Sequence, residues 1–273
     1  MKRLLLCTDL DRTLIPNGTQ PESPEAMERF RLLVSRKEVT LAYVTGRNRA
    51  LVEQAITEFG LPQPDFVIGD VGATIYSSDW KQWDEWDDHI APDWQGLTHD
   101  DLYRVLSVFP VLRLQEQDKQ NRHKLSFHVP VETDARKLVA EIDQRLKYAD
   151  IRTNLIWSID AAAGLGLLDV LPAGASKLHA IRFLISRSGF DSETAIFAGD
   201  SGNDLNVLTS GIPAVLVANA DAEIKSLVAN ANKHTLYIAK GGYLGMNGNY
   251  SAGILEGAAH YWPEVDAWLR VQP

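Results

Sequence analysis

The sequence predicts an α/β protein: a mostly parallel sheet with helices between its strands, interrupted by a smaller α/β insert. Three observations predict it. The apolar run Leu4-Leu5-Leu6-Cys7 stops abruptly at Thr8-Asp9-Leu10-Asp11, which is the texture of a buried strand too short to be a helix. Strand-length apolar runs then alternate with helix-length stretches, up to about Ile68 and again from about Ser176. Between about Ser77 and Ala173 the alternation breaks into strand, strand, helix, strand, strand, the pattern of an antiparallel sheet.

Taken in order, the first strand delivers Asp9 and Asp11 to its carboxyl end, where open parallel sheets bind ligands. Side chains two apart in extended chain point the same way, and paired carboxylates repel unless a cation lies between them. The pair therefore points to Mg2+ and to one aspartate free to attack an electrophile. After the breakers Pro16-Asn17-Gly18, Ser23-Pro24-Glu25 marks a helix start, and the helix runs to about Ser35. Val39 to Val44 is the second strand, followed by Thr45-Gly46-Arg47 and a helix over about 48–59. A hydroxyl, a glycine and a helix N-terminus after a strand make an anion site, unless Thr45 only caps the helix. Asp65 to Ile68 is a third strand, Gly69-Asp70-Val71-Gly72 a turn, and Ala73 to Tyr76 a short strand.

The insert opens with Trp83, Trp86 and Trp94 among acidic residues. Its helices are expected over about 100–108 and 133–148, and its strands over 111–115, 124–129, 151–159 and 166–171. Alternation resumes with a helix over 176–188 carrying Lys177 in its first turn. The strand Thr194 to Ala198 ends in Gly199-Asp200-Ser201-Gly202-Asn203-Asp204, and strands over 214–217 and 235–238 and helices over 222–228 and 251–259 follow. The expected division is a core of residues 1–77 and 174–273 and an inserted cap of 78–173.

The 273 residues suffice for one large domain or two modest ones, and 45% apolar with 23% charged residues is ordinary for a soluble globular protein. A net charge of -9 argues against a nucleic-acid binder, though not against an anionic substrate, because a bound cation and a few placed bases reverse the sign locally. The single cysteine, Cys7, excludes an internal disulfide and fits a reducing compartment. Nothing approaches a membrane span, and the start is too short in apolar core to be a lipoprotein signal. A cytoplasmic monomer is expected.

Asp200 and Asp204, four apart at a loop-to-helix entry, share one side. With Asp9 and Asp11 they compose an all-oxygen site that suits magnesium, which bridges to phosphate. Lys177 is placed to neutralise phosphate or the attacking carboxylate. Lys124, Ser126 and His128 alternate along one strand and so share a face. Turned toward the core, that face offers three polar groups to sugar hydroxyls; turned outward, it is only solvated.

The order Asp-x-Asp-x-Thr, Thr-Gly-Arg, Lys, Gly-Asp-x-x-x-Asp resembles the haloacid dehalogenase-like phosphatase superfamily. The resemblance implies a Rossmann-like core with an inserted cap, Asp9 as nucleophile through an aspartyl-phosphate, and Asp11 as general acid and then base. It implies Thr45 and Lys177 as phosphate ligands, with Gly46, Arg47 and Asn203 beside them, and Asp200 and Asp204 as holders of Mg2+. A narrower likeness spans nearly the whole chain. The stretches Leu114 to Gln117, Gln120 to His128, Tyr43 to Arg47, Leu168 to Pro172, Gly199 to Asp204 and Ala252 to Gly257 are similar to the sucrose-phosphate phosphatases. One departure is Ala175-Ser176-Lys177-Leu178, where that family often shows Gly-Lys-Gly. The likeness implies Mg2+-dependent release of sucrose from sucrose 6-phosphate and possible association with a sucrose-phosphate synthase. The rivals are another sugar phosphate, such as mannosylfructose phosphate, and a sugar-phosphate-binding module without turnover.

Overall fold

The computed structural model describes residues 2–160 and 163–272. Its strands are β1 (Leu4–Thr8), β2 (Val39–Val44), β3 (Phe66–Gly69), β4 (Thr74–Ser77), β5 (Arg113–Leu114), β6 (Leu125–Pro130), β7 (Thr153–Asp160), β8 (Leu165–Pro172), β9 (Ala195–Gly199), β10 (Ala214–Leu216) and β11 (Leu236–Ile238). Its helices are α1 (Ala26–Val34), α2 (Arg49–Glu58), α3 (Asp84–Ile90), α4 (His99–Leu106), α5 (Ala135–Tyr148), α6 (Lys177–Ser188), α7 (Leu205–Leu208), α8 (Ala222–Leu227), α9 (Ser251–Tyr261) and α10 (Pro263–Leu269).

A seven-stranded sheet runs in the order β11-β10-β9-β1-β2-β3-β4, parallel except where β4 turns back on β3. The apolar run at the start is its central strand. Leu4 and Leu6 enter the core on one face with α1 and α9, while Leu5 and Cys7 enter the other with α6. A fully buried Leu contributes about 1.5–3 kcal/mol, so β1 is anchored by its own burial and can carry a charge at its tip. A second, four-stranded sheet, β5-β6-β8-β7, is antiparallel throughout. Leu125, Phe127 and Val129 of β6 pack with Leu168 and Val170 of β8 against Leu138, Ile142 and Leu146 of α5.

The expected α/β class, a mostly parallel sheet with a smaller antiparallel one, is seen, with local differences. The strand expected over 111–115 is the exposed pair Arg113–Leu114, which align with His128 and Phe127, and the Gln115 amide adds one bond to the Ser126 carbonyl at 3.0 Å. The helix start expected at Ser23 falls at Glu25, and the Ser23 hydroxyl instead accepts from the Asn247 amide at 2.9 Å. The tryptophan-rich stretch forms α3, whose Trp86 is buried against the sheet. The C-terminal α10, started by Pro263, was not expected; Pro at a first helical position is the signal that marks it.

Candidate active site

β1 ends at Thr8, and the Asp9 amide donates to the Ala198 carbonyl of β9 at 2.9 Å. That bond fixes the Asp9 backbone beside the Gly199–Asp204 turn. Among the described residues, Asp9, Asp200 and Asp204 bring carboxylate oxygens within 4.8 Å of one another, all buried. Lys177, first residue of α6 behind the Ser176 cap, donates to Asp204 Oδ1 at 2.8 Å and reaches Asp9 Oδ2 at 3.1 Å and Asn203 Oδ1 at 3.3 Å. Thr13 donates to Asp200 Oδ1 at 3.1 Å. Gly199 permits the turn to close: a Cβ there would stand 2.6 Å from Asp204 Oδ2.

The charges are unbalanced. Burial pushes the Asp9 carboxyl well above its ordinary range; Lys177 opposes this, while Asp204 and Asp200 add to it. Burial, then Asp204, pushes Asp200 up to about 7. Burial works against the Lys177 ammonium, but Asp204 and Asp9 outweigh it and hold the lysine charged. Oδ2 of Asp200 is buried and accepts no hydrogen bond. Three hard oxygen donors facing one another with an excess of negative charge fit a divalent cation of the magnesium type.

Asp11 lies apart from this group. The reading from Asp-x-Asp required extended chain through Asp11, but the strand has ended, and Arg12 turns the backbone with φ 57°. The Asp11 carboxylate is instead clasped by Arg47, with Nε at 2.8 Å and Nη2 at 2.6 Å, and accepts from Asn17 at 2.7 Å. Burial raises its pKa, yet the Arg47 bonds and charge and the Asn17 bond overcome this, and the group sits below the usual range.

Thr45 follows β2 and is fully buried. Its hydroxyl accepts from the Arg47 amide at 3.1 Å, folding Gly46 into a tight turn. The cap of α2 is Asn48, whose side chain accepts from the Leu51 amide, so Thr45 is not the cap.

A cavity of about 680 Å3 joins Asp9, Asp11, Arg47, Asp200 and Asn203 to the second sheet, which supplies His128, Ile156 and Asp169 to its lining, with Lys124 just before β6. The polar face of β6 therefore turns inward. Lys124 is buried and meets Asp70 at 3.5 Å and Asp169 at 3.9 Å. Ser126 sits below the cavity wall and donates to Asp169 at 2.5 Å. His128 is half-buried, with Nε2 3.5 Å from Glu116. Arg12 and Asp169 also line the cavity, and Asp70 pairs with Lys124; the reading from sequence does not single out these three. The alternation of Leu168-Asp169-Val170 places a charge on the inward face between two core residues, which is a legible signal; Asp70 was read only as part of a turn.

The comparisons agree with one another. A sequence model described as sucrose-6F-phosphate phosphohydrolase matches residues 2–262. A HAD-like hydrolase of Nitrosococcus oceani is 50% identical, over 98% of this chain and 74% of its own. Sucrose-phosphatase 1 of Nicotiana tabacum is 30% identical over 81% of this chain and 52% of its own, so the chain spans about half the length of that relative. The sucrose-phosphatase of Synechocystis sp., solved with sucrose and phosphate, superposes with a TM-score of 0.78 at 27% identity, over 96% of this chain and 98% of its own. No described helix is long and apolar enough to cross a membrane. From the aspartate triad at the tip of β1 to the match over nearly the full length, the chain belongs to the sucrose-6F-phosphate phosphohydrolase family, phosphoric monoester hydrolases of the haloacid dehalogenase-like fold.

Proposed function

We propose that this chain hydrolyses sucrose 6-phosphate to sucrose and phosphate with Mg2+ held by Asp9, Asp200 and Asp204. The observation that carries the reading is Asp9: a buried carboxylate in contact with Lys177, facing two further carboxylates, at the floor of a cavity walled by a second sheet. Magnesium supplies neutralisation of phosphate charge. Oδ2 of Asp9 attacks phosphorus, the bond from phosphorus to the sugar oxygen breaks, and the departing alkoxide takes a proton from Asp11. Asp11 then takes a proton from water, whose oxygen attacks phosphorus and frees Asp9 and phosphate. Lys177, the Thr45 hydroxyl, the Gly46 amide and the Arg47 guanidinium bind the phosphoryl oxygens, and Asn203 fixes the lysine. Asp11 acts as acid only once Arg47 has left it for the substrate.

We assign residues 78–173 to a cap that shields the reaction and reads the sugar through Lys124 and His128, with Ser126 holding Asp169 in place. A cytoplasmic setting and a sucrose-phosphate synthase as supplier belong to the same reading. The test is kcat/KM on sucrose 6-phosphate, mannosylfructose phosphate, glucose 6-phosphate and fructose 6-phosphate, side by side in Mg2+. Sucrose 6-phosphate should lead the monosaccharide phosphates by at least about a hundredfold, because one ring leaves buried polar groups unpaired at roughly 1–3 kcal/mol each. Asp9→Asn should fall below a few per cent of activity with its thermal midpoint retained. A hexose phosphate hydrolysed as fast as either disaccharide overturns the two-ring reading, and a mannosylfructose preference replaces the substrate.

A further inference from the structure

Arg12 stands where the backbone favours glycine or asparagine: its φ is 57°. The turn is fixed from two sides, by the Arg12 amide donating to Asn17 Oδ1 at 2.8 Å and by Asn219 Nδ2 donating to the Arg12 carbonyl at 2.6 Å. An arginine in such a position needs a use for its side chain. Nη2 donates to Asp221 Oδ1 at 2.9 Å, at the surface, and Nε lies 3.3 Å from Oδ2 of the buried Asp200. The second contact is close but misaligned, and neither Arg12 Nε nor Asp200 Oδ2 has a hydrogen-bond partner. Asp200 Oδ1 is already taken by Thr13, so Oδ2 is the oxygen left for a cation, and a guanidinium is parked against it.

We propose that Arg12 is a resident counter-charge of the cation site, shared between Asp200 and Asp221, which sets how tightly the site takes a divalent ion. The proposal rests on the reading of Asp9, Asp200 and Asp204 as the cation site. Without the ion, the guanidinium offsets part of the buried negative charge at Asp200. With the ion, two positive charges meet at one carboxylate, and Asp221 offers the guanidinium a second seat. Two consequences separate this from a surface ion pair. Removing Arg12 tightens the ion, and removing Asp221 loosens it only while Arg12 is present.

The test is calorimetric titration of the full chain with Mg2+, in wild type, Arg12→Gln, Asp221→Asn, the double variant and Asp200→Asn. The Mg2+-induced rise in thermal midpoint, measured on the same proteins, is a second readout that also reports folding. Arg12→Gln should lower the metal-free midpoint and tighten Mg2+ about tenfold, which is about 1.4 kcal/mol. Asp221→Asn should weaken Mg2+ several-fold in wild type and by less than about twofold in the Arg12→Gln background. If wild type binds Mg2+ and Arg12→Gln binds it no tighter, the inference falls and the cation site stands. Equal weakening by Asp221→Asn in both backgrounds makes Asp221 a plain remote charge and overturns the sharing. If wild type binds Mg2+ no better than Asp200→Asn, the cation-site reading itself falls, and the inference with it.

Discussion

Asp11 is held as a carboxylate by Arg47, which the turn after β2 presents to the cavity. A bidentate guanidinium is among the stronger single contacts a carboxylate can make, and here it offsets the cost of partial burial. A proton donor needs the opposite environment, so in the proposed mechanism Arg47 would couple substrate arrival to the acidity of Asp11. Arg47→Gln should raise the Asp11 pKa. The alkaline limb of kcat/KM against pH should then move to higher pH, while kcat/KM at its maximum falls through lost phosphate binding. A profile whose limb stays in place would remove Asp11 from proton transfer or Arg47 from its control. Asp9, Asp11, Asp200 and Asp204 were all legible as acidic residues at strand ends. Their partition into a triad and a separate ion pair was not, because it depends on where β1 stops and on the left-handed Arg12, and neither leaves a mark in residue type.

Among the elements, the turn after β3 does more than its length suggests. Asp70, Val71 and Gly72 all have positive φ, a conformation a β-branched valine adopts only under strain. The Val71 amide donates to the Thr45 carbonyl and the Asp70 amide to the Arg47 carbonyl, both at 3.0 Å. The Asp70 carboxylate meets Lys124, and Gly72 lies against the start of α6, where a Cβ would stand 2.2 Å from the Ser176 carbonyl carbon. One turn thus sets the Thr45–Arg47 turn, the start of α6 and Lys124, the residue before β6. Gly72→Ala should destabilise by at least about 2 kcal/mol and cut kcat more than KM, since Ser176 and Lys177 must shift. A variant with wild-type kcat and midpoint would show that α6 is placed independently. On β6, the period-two argument predicted a shared face for Lys124, Ser126 and His128, and the opposite residues Leu125, Phe127 and Val129 decided which way it turned. Lys124→Ala or His128→Ala should lower kcat/KM for the sugar phosphate by about tenfold more than for an aryl phosphate. Equal losses on both would place these residues outside the sugar contact. The turn itself was legible as Gly-Asp-Val-Gly, but its three contacts join residues far apart in sequence, and local pattern does not encode them.

For the whole molecule, the cost of gathering carboxylates appears as a pH dependence. In metal-free protein Asp200 moves from the ordinary 3.8 to about 7, so between those values the folded state binds more protons than the unfolded one, and stability falls as pH rises through the window. Asp9 is raised as well and acts in the same direction. Asp11 is depressed, so its contribution is complete above the usual carboxylate range, and Lys177 is raised, so its contribution persists far above neutrality; neither reverses the trend. In chelator the thermal midpoint should drop by several degrees between about pH 5.5 and 8, and saturating Mg2+ should remove most of that slope. An unchanged slope with Mg2+ would detach the three aspartates from the ion. The strand order has a consequence in time. β1 lies between β2 and β9, and the Asp9 backbone is fixed by Ala198, so the proposed nucleophile is synthesised before the whole second sheet and meets its partners only once β9 has followed it. Closing so long a loop is slow, and no amino-terminal fragment ending before β9 contains the triad. A product cut short before β9 should therefore carry no residual phosphatase activity, and one that keeps it would separate the activity from the three aspartates.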